Sequence, residues 1–212
     1  MSFQWIFAPI ALLALAAAAS ANVVNLPAAA DAHINDFNHD GTFDNVSIDA
    51  AVGSGPFQRG AIEFNASSLP AGSTITAATL QLSIDVLVGT TTNSVAFGTY
   101  PGDGAIEVAD ATAASSTIGT FTAPPNPSSF TVFNITLDPT AVQNSFSLSS
   151  YIGFNITQTS GSGIGFTSKE NVNAFPKPNL QLTFSPPASV PEPASLATLA
   201  LAGILLLRRH RC

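Results

Sequence analysis

One cysteine occurs in 212 residues, and it is Cys212. Everything before it therefore lacks disulfides, thiolate metal ligands and a cysteine nucleophile, and its stability has to come from buried apolar surface or a bound ion. Basic side chains are almost as scarce. Between residues 22 and 192 the three bases Arg59, Lys169 and Lys177 stand against thirteen acids, a balance that sets nucleic acid aside as a partner. Histidine is limited in the same span to His33 and His39, and the acids are scattered, so no nucleophile with its base and no carboxylate pair such as Glu63 with Asp85 can be read from spacing. No enzyme is expected. Gly161, Gly163 and Gly165 spell G-x-G-x-G, but no helical pattern follows, which leaves a hairpin turn rather than a phosphate loop. The single tryptophan, Trp5, lies among the first 21 residues, so an aromatic platform in the body would need phenylalanine or tyrosine. Phenylalanine is usually core, and Tyr100, beside Pro101-Gly102-Asp103-Gly104, is the best candidate for an exposed ring.

What is abundant is Val, Ile, Phe and Thr in short runs divided by Gly, Pro, Asn and Ser. Strands are expected over 61–64, 74–88, 95–100, 129–137, 151–159, 163–167 and 179–184. Alternation is clear at Leu80, Leu82, Ile84 and Val86, which share one face while Gln81, Ser83 and Asp85 share the other. Phe133, Ile135 and Leu137 repeat the period. Glu63, between Ile62 and Phe64, is expected to turn away from them toward solvent or Arg59. No amphipathic helix of useful length is read in the body. Seven or more antiparallel strands, each with one wet face, give an all-β fold: an antiparallel β-sandwich, with a jelly roll as the expected topology.

Both ends carry a different pattern. The apolar run 6–19 followed by Ala19-Ser20-Ala21 has the small-x-small form of a signal-peptidase site, so residues 1–21 are expected to be a signal peptide. The body then runs over 22–184, and a Pro-rich linker over 185–193 is held extended by its prolines. Fourteen apolar residues, 194–207, precede Arg208, Arg209, His210 and Arg211. The run is short for a membrane span, but a basic end held on the cytoplasmic side accounts for the arginines where a core helix does not.

Pro191, Glu192 and Pro193 before that apolar run and the basic end closely resemble the PEP-CTERM sorting signal of Gram-negative bacteria. The resemblance implies recognition by an exosortase, transient anchoring in the inner membrane through the 194–212 segment, and delivery to the cell surface or extracellular matrix. Pro191, Glu192 and Pro193, with Arg208, Arg209 and Arg211, are the positions that match. A second resemblance lies in RGAIEFNASSLPAGSTITAATLQLSI, residues 59–84, which is similar to the strand-turn-strand core of DNRLRE-type β-sandwich domains. It implies an extracellular β-sandwich and, for some members, binding of acidic polysaccharides, with Arg59 and Tyr100 as the ligand-binding candidates here.

Asp36, Asn38, Asp40, Thr42 and Asp44 follow D-x-N-x-D-G-x-x-D, the spacing of a calcium loop. Oxygen-bearing side chains at alternate positions can curl round one hard cation, with Gly41 supplying the turn and Thr42 a backbone carbonyl. Ser47 stands where such a loop carries its bidentate glutamate, so Asp49, Asp31 or a residue elsewhere in the fold would have to complete the set. The expected function is that of a non-catalytic exported protein of the biofilm or exopolysaccharide matrix; the alternative is a carbohydrate-binding module that grips an extracellular polysaccharide.

Overall fold

Pro27 lies where the first strand changes partners. The computed structural model describes residues 21–48, 51–87, 92–113, 116–125, 130–173 and 175–187. In it β1 (Asn22–Asn35) pairs along its first half with β11 (Asn179–Ser185) and along its second half with β4 (Gln58–Asn65). Pro27 has no N–H to donate and is the last residue in register with β11, and the register shifts again between Ala28 and Ala30. One strand thus joins two halves of an all-β, wholly antiparallel structure.

The first half continues from β11 to β5 (Thr74–Leu87), which also pairs with β8 (Val132–Leu137) and with β10 (Ile164–Thr167). Beyond β10 the edge is β3 (Ala51–Ser54). The second half runs from β4 to β9 (Tyr151–Ser160), β6 (Ser94–Gly102) and β7 (Thr117–Thr122), while β2 (Asn45–Ser47) pairs with the end of β1. The ladder folds back so that its distant strands meet: the Phe166 ring of β10 lies 6.5 Å from Phe97 of β6 and 6.1 Å from Phe121 of β7. Between the halves Phe64, Phe97, Phe154, Phe166, Leu80 and Ile156 are fully enclosed. Each such side chain contributes about 1.5–3 kcal/mol by leaving water, which is how a body without disulfides is held.

All seven expected strands are present, and three local expectations are corrected. Val86 does not share the buried face of Leu80, Leu82 and Ile84. A bulge in β5 sets Gly165 opposite Val86 but Phe166 opposite Ile84, so the extra residue reverses the alternation and leaves Val86 49% exposed. Ser83 is not on a wet face, because the 168–178 segment covers it: its hydroxyl lies 3.0 Å from Thr167 Oγ1 and donates to the Pro176 carbonyl at 2.7 Å. The body also contains a helix, α2 (Pro139–Leu148), following the short α1 (Asp110–Ala113). Asp138 caps α2 by accepting from Thr140 N at 2.9 Å, Pro139 sits in its first turn, and Val142 is buried. No helix among the described residues is long and apolar enough to cross a membrane. The signal-peptide region and the 188–212 segment, with Pro191, Glu192, Pro193, Arg208, Arg209 and Arg211, lie outside the described residues.

Candidate binding cleft

The aspartate-rich loop after β1 and the tip of the β3–β4 hairpin together raise one wall of an open cleft of about 620 Å³. The hairpin closes between Gly55 and Gln58, whose N–H groups each donate to the other's carbonyl. Pro56 and Phe57 are left at the tip, and the only place for the Phe57 side chain is outward. Asp36 N donates to Phe57 O at 2.9 Å, which fastens the loop to that tip.

Inside the loop Asp36 accepts from Asp40 N at 3.1 Å and from Gly41 N at 2.8 Å. Asp40 accepts from Thr42 N at 2.8 Å, and Asp44 from Phe37 N at 3.2 Å. These bonds hold His39 in the left-handed region, φ 60°, a posture uncommon for a residue with a Cβ. Its imidazole is thereby laid on Phe57, with centroids 3.8 Å apart and planes 11° from parallel. Of the described phenylalanines only Phe37 (79%) and Phe57 (44%) are exposed, and both line this cleft. Val86, turned outward by the bulge, also lines the cleft. The floor is backbone, because Gly53 of β3 is paired with Gly165 of β10 and neither carries a side chain. Asn35, Gln58 and Ser162 supply side-chain amides and a hydroxyl along the rim.

The five calcium-loop positions are brought into one turn. Their side-chain donors are all oxygen, and the oxygens of Asp36 and Asn38 converge on the same Asp40 N–H, at 3.1 and 3.2 Å. A carboxylate oxygen has more than one lone pair, so these bonds orient the donors without exhausting them. Among the described residues no three His, Cys, Asp or Glu side chains converge as a metal set. The donor chemistry fits calcium; the count of carboxylates limits it to weak binding.

The two expected ligand-binding residues do not come together. Tyr100 is not an exposed ring: it is 2% exposed, with its ring over Gly153 of β9, its register partner, where there is no room for a side chain. Burial, together with the neighbouring Asp110 and Glu63, raises its phenol above the ordinary range. Arg59 lies on β4 with its guanidinium 5.3 Å from the centre of the Phe43 ring and donating to Gln58 O. Glu63 is enclosed and faces neither solvent nor Arg59. It accepts from Gly104 N at 2.6 Å and Asp103 N at 3.1 Å, and Gly102 is required beside it because a Cβ there would lie 2.5 Å from its carboxyl carbon. Burial above all, with Asp110 and Asp103 adding to it, holds its carboxyl above the usual carboxylate range.

The second buried acid is Asp31, expected above as a candidate calcium ligand and found instead bonded to the segment before β11. Asp31, 3% exposed on β1, accepts from Lys169 N at 2.7 Å through one oxygen, while its other oxygen and Glu170 Oε2 are both buried without a partner. Burial first, and the adjacent Glu170 next, push Asp31 up to about 7. Lys169 pairs with the other oxygen of Glu170, and Lys177 donates to Lys169 O, so the segment before β11 is fastened to β1 through this group.

No family model matches the chain, and no curated protein matches it.

Proposed function

We propose that this chain is a non-catalytic exported protein, sorted through its Pro-Glu-Pro tail by an exosortase to the cell surface or extracellular matrix, whose body holds an extracellular polysaccharide. On this reading the two packed halves form a jelly-roll β-sandwich. The observation that carries it is the cleft: the two exposed phenylalanines and a stacked imidazole gather on one wall beside side-chain amides, the composition of a site for a ligand with apolar faces and polar edges. Among the described residues Asp36 is the one carboxylate that lines it, whereas glycoside hydrolysis uses a pair, which favours binding over chemistry. Calcium, held by Asp36, Asn38, Asp40, Asp44 and the Thr42 carbonyl, would stiffen that wall.

The test is retention. Full-length chain mixed with the insoluble matrix polysaccharide of the producing cells should sediment with it, and a Phe37→Ala, Phe57→Ala variant should remain in the supernatant. Equal sedimentation of the two would contradict the assignment of the cleft.

A further inference from the structure

We propose that the cleft selects a neutral glycan, a run of uncharged hexose or pentose units, and disfavours chains of uronic acids or sulfated sugars. The inference rests on the polysaccharide reading above and narrows it. Each carboxylate or sulfate along such a chain needs a cation to replace its water, since burying an unpaired charge is costly. No lysine or arginine among the described residues lines the cleft. The three bases of the body are also engaged elsewhere: Arg59 with Phe43 and the Gln58 carbonyl, Lys169 with Glu170, and Lys177 with the Lys169 carbonyl. The wall is built on Asp36, Asp40 and Asp44, all within one short loop, and their three negative charges outnumber the two positive ones of a bound calcium, so a passing polyanion still meets charge of its own sign.

What the cleft does offer matches an uncharged pyranose. Phe37 and the His39–Phe57 stack present ring surfaces to the apolar C–H face of a sugar, while Gln58, Asn35 and Ser162 can exchange hydrogen bonds with equatorial hydroxyls. A chain lying over the Gly53–Gly165 pair would meet the Gln58 side chain, whose Oε1 is 3.4 Å from where a Cβ on Gly53 would stand. The cleft is open along its length and its volume is in the middle of the range for small-ligand sites, so it suits a short internal segment of a chain better than one monosaccharide.

The experiment is isothermal titration of the full chain near neutral pH with two sets of defined probes. One set is cellohexaose, xylohexaose and laminarihexaose; the other is hexagalacturonate and a mannuronate hexamer. At least one neutral probe should bind, and the acidic probes should bind at least tenfold more weakly. Phe57→Ala should weaken the neutral probe about tenfold, whereas Phe57→Tyr, which keeps the ring, should retain binding. Phe57 is exposed, and unchanged circular dichroism and melting would confirm that both variants fold. Tighter binding of an acidic probe would overturn the neutral class and leave the polysaccharide reading standing. Binding of no probe, together with failure to sediment with matrix polysaccharide, would overturn both. Neutral binding that ignores Phe57→Ala would remove the cleft as its site.

Discussion

Leu82 is 1% exposed between the two halves of the ladder, and truncating it leaves a cavity as well as lost burial. Leu82→Ala should cost about 2–5 kcal/mol in denaturant unfolding. Its neighbour has an environment that alternation alone misjudges. Ser83→Ala would leave the Pro176 carbonyl and the Thr167 hydroxyl short of a bond, so it should cost about 1–3 kcal/mol where a wet serine would cost almost nothing. A neutral Ser83→Ala would mean that the 168–178 segment does not cover β5. The buried acid gives a second residue-scale prediction. Asp31 lies well above the ordinary 3.8 of an aspartate, so the folded chain keeps a proton that the unfolded chain has released. Stability from this group is then fully present below about pH 4, falls as pH rises toward 7, and is level above it. Asp31→Asn, which keeps the shape without the charge, should flatten that slope and melt several degrees above the parent at pH 8. Parallel pH profiles for the two proteins would contradict the buried pair.

Elements differ in how far their residues announce them. Strands β5, β8 and β11 have one face in the core and one outside it, and their period of two is plain in the sequence. Strand β1 is not legible in this way. Its fourteen residues include Pro27 and three consecutive alanines, and it changes partner midway, so no single face stays buried along it. Helix α2 carries its signal in Asp138-Pro139, a cap and a first-turn proline, rather than in an apolar stripe, and a search for periodicity passes over it. In the cleft, the loop 36–44 was legible from its spacing, whereas Phe37 and Phe57 read as ordinary core residues until the Gly55–Gln58 closure turns Phe57 outward. The loop yields its own prediction. With one carboxylate short of a full set, calcium should bind at roughly 10⁻⁴–10⁻³ M and raise the melting temperature by a few degrees at several millimolar. Magnesium should do less. An Asp36→Ala, Asp40→Ala variant should lose the calcium response; a shift of equal size in the variant would place the ion elsewhere.

At the scale of the whole molecule, the body's continuity depends on β1 joining both halves, and the first paired residue is Asn22, opposite Phe184 near the end of β11. The two segments read as export signals therefore extend from one end of the same pair of strands. The strands, the core residues and the cleft lining described above all lie within residues 22–185. Export with processing at both ends can be read by intact-mass spectrometry of the protein recovered from outside the cells. The predicted result is a chain that starts at Asn22 and lacks residues 196–212. Full-length protein outside the cell, still carrying Arg208, Arg209 and Arg211, would contradict it.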